Sequence, residues 1–242
     1  VFTSGEIVDA VRIHVRGLLN SFRDPNTHKI HRTFPFPPRT TLIGLAGAAL
    51  GLSEDTIWQE CKDLKVAVVD ISKESDIGGM GKAEDLIRYK KYKDSSIETS
   101  IFVRELLYKP EYLIYYASDD GRHINDLYNA FLNPAYVLSL GRDDEIISIK
   151  SVEKTDLSSV DSGEFEETIL PFNPKDEGFE IDVNNQKYFE PYSLATLPST
   201  FIVKDNIRQP SDFKIYAFLK NLKIHLTKKG GFTDGRYNFF LL

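Results

Sequence analysis

The chain has 242 residues, which fits one large domain or one domain with a small extension, and 41% of them are hydrophobic, enough for a core. The single cysteine, Cys61, excludes a disulfide framework and fits a reducing cytosol, so a cytoplasmic protein is expected. No apolar run is long enough to span a membrane, no signal peptide is visible, and the net charge of −6 means that any polyanion must be met by a local basic patch.

Such a patch opens the chain. Val11-Arg12-Ile13-His14-Val15-Arg16 alternates with a period of two and predicts a half-buried strand with Val11, Ile13 and Val15 inward. Between Ala10 and Leu52 stand six cationic residues (Arg12, Arg16, Arg23, Lys29, Arg32, Arg39) and one acid, Asp24. A positive island on an acidic chain is where a polyanion is expected. Pro37-Pro38 fixes an extended approach, after which Thr40 or Thr41 is placed to cap a helix. That helix carries Gly44, Gly47 and Gly51, a costly composition that close packing on a sheet would justify. A phosphate-binding turn is the other option, but neither glycine-rich nucleotide fingerprint is present.

Residues 53–64 predict a second helix with Ile57, Trp58, Cys61 and Leu64 at core spacing, which makes Cys61 a buried thiol rather than a nucleophile. Residues 65–71 form a β-branched strand. A loop is predicted over 72–85, then a basic, aromatic strand over 86–93. Strands at 100–108 and 112–117 meet at Lys109-Pro110, and a helix over 123–132 and a strand at 146–149 follow. This order of strand, helix, strand, strand, helix, strand is the ferredoxin-like plan, which also underlies the RNA-recognition fold.

Beyond it the charge changes. Residues 143–190 hold fourteen acids and four lysines, and predict irregular strands and loops on an outer side, away from RNA, or simply a solvated surface. Residues 204–236 return to eight cations against three acids, with a strand at 223–227 and a basic turn at 228–231. This second island extends a nucleic-acid track or protects an edge strand with lysines.

For chemistry, the five histidines are His14, His28, His31, His123 and His225. His28 and His31 lie in the basic loop and are the natural general-base candidates, although a histidine there more often contacts RNA. Asp119-Asp120 and Asp143-Asp144-Glu145 are acidic turns without companion ligands at metal-binding spacing. No cofactor, metal or small-molecule substrate is predicted.

Several of these segments together carry a resemblance. Ser21-Phe22-Arg23 is followed by Phe34-Pro35-Phe36-Pro37-Pro38-Arg39-Thr40-Thr41-Leu42-Ile43-Gly44-Leu45 and Gly47-Ala48-Ala49-Leu50-Gly51-Leu52. Glu98-Thr99 precedes Arg104-Glu105 and Leu107. Leu132-Asn133-Pro134 with Tyr136 leads to Leu140-Gly141-Arg142, and Leu197-Pro198 comes late. This set, which covers residues 10 to 145 well and the remainder loosely, resembles the Cas-five family of CRISPR-associated RAMP proteins, most closely subtype I-B.

The resemblance implies an α+β, ferredoxin-like (RRM-like) RAMP domain over 1–150 with a β-hairpin thumb inserted near 72–99. A β-rich C-terminal extension over 151–242 would complete or flank it. It implies a non-catalytic crRNA-binding subunit of a type I Cascade surveillance complex, in antiviral defence. Its partners would be the crRNA 5′ handle, the Cascade backbone subunit and the Cascade large subunit, with no membrane. The expected RNA-binding residues are Arg16, Arg23, His28, Lys29, His31, Arg32, Arg39, Lys82, Arg88, Tyr89, Lys90, Lys91, Arg104 and Arg142. Phosphates call for arginine and lysine, and unstacked bases call for flat partners such as Tyr89. The alternatives are a metal-independent endoribonuclease that processes precursor crRNA, and an assembly protein whose basic face meets an acidic subunit.

Overall fold

The computed structural model describes residues 7–27, 30–61, 63–75, 79–93, 96–178, 180–181, 192–205 and 207–242. In chain order, strands β1 (Ile7–Gly17), β2 (Leu19–Asn20) and β3 (Ile30–His31) precede helices α1 (Arg39–Leu50) and α2 (Glu54–Glu60). Strands β4 (Lys65–Asp70), β5 (Gly81–Lys93), β6 (Ser96–Tyr108) and β7 (Glu111–Ala117) lead to α3 (Gly121–Leu132). After β8 (Ile147–Val160) and β9 (Gly163–Leu170) come the short α4 (Pro174–Glu177) and β10 (Glu180–Ile181). The chain then runs through β11 (Ser193–Lys204), β12 (Ile207–Leu226), β13 (Gly231–Thr233) and β14 (Asn238–Phe240).

Ten strands form one sheet in the order β10-β12-β9-β4-β7-β1-β8-β13-β14, with β11 added on β12. At its centre, β4, β7, β1 and β8 are neighbours and every pairing is antiparallel. The period-two reading of β1 explains this position. Val11, Ile13 and Val15 are buried in one core with Leu42, Ile43 and Ala46 of α1 and Ile124, Leu127 and Phe131 of α3. Val8 and Ala10 point to the other face, where Phe232 and Phe239 cover them in a second core. Phe232, Tyr237, Phe239 and Leu241 therefore cover part of the sheet face opposite the helices.

Several local expectations change. Helix α1 is capped by Pro38, not by a threonine hydroxyl, and the Pro38 carbonyl accepts from Thr41 and Leu42 N–H. Proline suits this place because no N–H is needed there. Of the α1 glycines, Gly47 meets a helix rather than the sheet. A Cβ there would lie 1.9 Å from Ile57 Cδ1 of α2, whereas the space beside Gly44 is open. Gly51 ends the helix in the left-handed region at φ 74°. The loop expected over 72–85 is shorter, since β5 already starts at Gly81.

The acidic segment is the largest correction. It contains the 14-residue β8 and a central strand, β9, between β12 and β4. Glu164 and Glu166 point outward, while Phe165, Ile169 and Leu170 are buried. Glu167 sits at positive φ (51°), a break in the alternation. Its carboxylate is buried and accepts from Lys73 (2.5 Å) and Lys220 (2.8 Å), and Lys220 also reaches Asp70 at 2.5 Å. Burial works to lower the Lys220 pKa, but the two carboxylates outweigh it and raise it.

A second sheet stands apart. Strands β5 and β6 form a hairpin paired from Gly81↔Tyr108 to Lys93↔Ser96. At its base β6 also pairs antiparallel with β2, and β3 lies parallel to it through Ile30↔Val103 and His31↔Arg104. The basic loop is thereby laid against the hairpin. Beneath that loop, Phe34 stacks on Phe218 of β12 with ring centroids 4.8 Å apart and planes within 2°. Phe36 lies beside the same ring at 6.4 Å.

Candidate nucleic-acid interface

A cleft of about 360 Å³ opens where the basic loop, the hairpin and the Leu140-Gly141-Arg142 turn meet. Its floor is built around Glu145, which is 3% exposed. One carboxylate oxygen accepts from Ser21 N–H (2.7 Å) and Arg142 N–H (3.0 Å), and the other accepts from the Ser21 hydroxyl (2.5 Å). Buried Asn20 donates to the carbonyls of Leu140 (2.8 Å) and Glu145 (3.1 Å). Gly141 has φ +115°, and a Cβ there would fall 2.1 Å from Glu145 Oε2 and 2.5 Å from the Ser21 carbonyl. Only glycine fits, because the backbone conformation and the close approach both exclude a side chain. This stitching sets Arg23 and Arg142, remote in sequence, on adjacent rims.

The walls follow from main-chain pairing. Phe22 N–H donates to the Thr33 hydroxyl (2.7 Å), Phe34 N–H to the Phe22 carbonyl (2.8 Å), and Asp24 N–H to the Arg32 carbonyl (2.9 Å). Arg23 and Arg32 are thus held on one doubled-back loop, both exposed. Next to Arg32 the His31 ring lies on Phe102 with centroids 4.1 Å apart, and Tyr89 follows at 5.7 Å from Phe102. The result is a row of three flat groups. Arg104 is mostly buried beneath it, donates to Asp85 at 3.2 Å, and lies 4.0 Å from Glu145. Its Nε has no partner among the described residues.

The structure brings together Arg23, His31, Arg32, Arg104 and Arg142 around this cleft, with Tyr89 continuing its aromatic row. Strand alternation places Lys91 on the same hairpin face as Tyr89, Phe102 and Arg104, and Lys82, Arg88 and Lys90 on the reverse face; all four cations are exposed. His28 and Lys29 lie outside the described residues.

Two expected arginines are elsewhere. Arg39 is buried and donates to the main-chain oxygens of Ser199, Leu64 (3.0 Å) and Leu242 (3.2 Å). Burial lowers its pKa against the opposing pull of Tyr216, Asp212 and Asp63. It is a structural brace and does not reach the cleft. Arg16 lies on the opposite sheet face and forks onto Glu111, with both contacts at 3.0 Å. His14 meets the same carboxylate at 2.6 Å. Burial pushes the Glu111 pKa up, but hydrogen bonds from Arg16, Ser75 and His14 prevail and hold it below the usual carboxylate value.

The residues missed from sequence are Phe102, Ser21 and Glu145. Phe102 had a usable signal, an aromatic residue one register step from Tyr89 across a hairpin. Glu145 had none, since only its long-range partner Ser21 distinguishes it from the exposed Asp143 and Asp144. Among the described residues no group of three His, Cys, Asp or Glu is arranged to hold a metal.

Chemically, the cleft offers forked donors for phosphate oxygens and stacked rings for bases. The chain matches the family model described as CRISPR-associated protein (Cas_Cas5) over residues 10–210, and it belongs to that family. A comparison with curated proteins found no match. Among solved structures, a chain of a CRISPR RNA-guided surveillance complex is similar over 91% of this chain and 91% of its own, at 14% identity and a TM-score of 0.54. A CRISPR protein from Archaeoglobus fulgidus is similar over 95% and 98%, at 10% identity and a TM-score of 0.54. A Cas protein matches at 20% identity and a TM-score of 0.39 over 57% of this chain and 58% of its own, so less than two thirds of that relative is spanned. At these identities the likeness is one of fold.

Proposed function

We propose that this chain is a non-catalytic crRNA-binding subunit of a type I CRISPR Cascade complex. It caps the 5′ handle of the guide and sits against the backbone and large subunits. The observation that carries this reading is convergence. Arg23 and Arg32, Arg104, and Arg142 come from three separate stretches of chain onto one cleft, beside the row His31, Phe102, Tyr89. Membership of the Cas family supports a CRISPR-associated role in RNA binding. The strand order β4-β7-β1-β8, with α1 and α3 on one face, suits a ferredoxin-like RAMP domain, and the β5–β6 hairpin suits a thumb. Because Phe232, Tyr237, Phe239 and Leu241 cover part of the open sheet face, loop and hairpin are the natural seat for a single strand.

The test is binding of labelled handle RNA and a scrambled RNA across a salt series. The variant Arg23→Ala/Arg32→Ala/Arg142→Ala should weaken handle binding and flatten the salt slope by about two, at roughly 0.7 per phosphate contact for single strands. Unchanged affinity and slope in the folded variant would remove the cleft from the RNA path and favour an assembly protein. The second reading, a ribonuclease, draws on His31 in the cleft. Incubation with precursor repeat RNA, with chelator and with divalent metal, should give no cleavage. A discrete product lost on His31→Ala or His28→Ala, with binding retained, would transfer the chain to the nuclease class.

A further inference from the structure

At the other end of α1 from the RNA cleft, a second groove runs between α2 and α3; Leu50, which lines it, lies about 14 Å along the helix from Thr41, which lines the cleft, at 1.5 Å per residue. It measures about 310 Å³. Its floor is apolar, made by Leu50 at the end of α1, Leu52 just beyond it, the buried Cys61 and Leu64, and Leu127 of α3. Burial pushes the Cys61 thiol up to about 11, so this wall is an uncharged, unreactive surface. The two banks are polar and carry one sign. Thr56 and Glu60 stand one turn apart on α2, and His123 and Asp126 stand one turn apart on α3. Glu60 and Asp126 are exposed and have no ion-pair partner among the described residues.

Some other carboxylates on the helical surface are paired. Asp119 is paired with Lys65, Asp120 with Arg122, and Glu54 with Arg208. Asp55, Glu60, Asp63 and Asp126 make no ion pair among the described residues, and of these Glu60 and Asp126 line the groove, with Arg122 one turn before Asp126 on α3. A leucine-lined trough between two unpaired carboxylates is complementary to one chemistry, an apolar anchor flanked by cations.

We infer that the α2–α3 groove is a protein-docking site that takes a lysine- or arginine-flanked apolar segment of a partner. Leucine or a similar side chain fills the trough, and the flanking cations reach Glu60 on one bank and Asp126 on the other. The site is separate from the RNA cleft, so one chain can hold RNA and partner together. This inference does not depend on the cleft's role in RNA binding.

The experiment uses the full chain and two fluorescent helical peptides. One presents leucine at i and i+4 flanked by lysines; the other has every lysine replaced by glutamate. Fluorescence anisotropy should show saturable binding of the lysine peptide, weakened by salt, and none of the glutamate peptide. Glu60→Lys/Asp126→Lys should weaken binding at least about tenfold, because each reversal exchanges a few-fold attraction for a repulsion. Both positions are exposed, so the fold is retained; thermal melts verify this. Leu52→Arg, which places a cation at the groove mouth, should also reduce binding. The Arg23→Ala/Arg32→Ala/Arg142→Ala protein should bind the peptide as the parent does. No binding, equal binding of both peptides, or indifference to the double reversal would overturn the inference. Loss of binding in the cleft variant alone would overturn it too, by moving the peptide to the RNA cleft.

Discussion

Arg39 sits in the most basic stretch of the chain, yet the structure makes it a brace, and this distinction is measurable. Arg39→Ala removes three charge-assisted donors and leaves the oxygens of Ser199, Leu64 and Leu242 without them. Each orphaned acceptor costs about 1–3 kcal/mol, but the vacated space admits water and the losses are not additive, so about 3 kcal/mol in total is expected. Against a typical domain stability of about 5–15 kcal/mol that is a large fraction. With a urea m-value of about 3 kcal/mol/M for a chain this size, the unfolding midpoint should fall by about 1 M. Arg39→Lys keeps the charge but not the fork, and should lose about half as much. Below its unfolding transition, the alanine variant should bind handle RNA with the parental salt slope. An unchanged midpoint together with a flattened slope would refute the argument and return Arg39 to the RNA path.

Gly141→Ala forces a Cβ into the Glu145 carboxylate at φ +115°, and should cost about 2–4 kcal/mol and abolish cleft binding although no cation is removed; parental stability by chemical denaturation would show that the floor relaxes freely. Phe102→Ala breaks the row between His31 and Tyr89, and should weaken RNA binding by about 1–3 kcal/mol with little change in melting temperature. Glu111 has a lowered pKa in the folded state, so its contribution is full above its unfolded pKa of about 4.3 and disappears as pH falls through the folded value. The melting-temperature gap between the parent and Glu111→Gln should therefore be widest near neutral pH and close below about pH 4; a gap that widens in acid would contradict the sign.

The elements readable from sequence were those whose period comes from one face meeting one core. Val11, Ile13 and Val15 alternate because α1 and α3 cover them, and Ile124, Leu127 and Phe131 recur at helical spacing because they face back. The acidic segment hid its strands for a physical reason. Glu164 and Glu166 occupy the outward positions of β9, and the positive φ at Glu167 breaks the alternation just where its buried residues begin. In the cleft, charge density pointed to Arg23 and Arg32, and the Leu140-Gly141-Arg142 element of the family resemblance pointed to Arg142. Charge density could not separate them from Arg39, because the acceptors that bury Arg39 come from residues 64, 199 and 242, far along the chain. Glu145 was illegible for the same reason, since two of its three donors belong to Ser21, more than a hundred residues upstream.

The stack of Phe34 on Phe218 bears on where this chain can be cut. Every arginine of the cleft lies before residue 143, so a fragment ending near residue 150 would carry the whole set of proposed RNA contacts. It would nevertheless lack Phe218, the ring on which the Arg23–Arg32 loop rests, and Ser199, to which Arg39 is tied. Among the described residues, those after residue 150 do not line the cleft, yet they are the foundation for its rim. The contacts are thus not portable: transplanted or truncated without β11 and β12, the same side chains would lose the spacing that makes them a site.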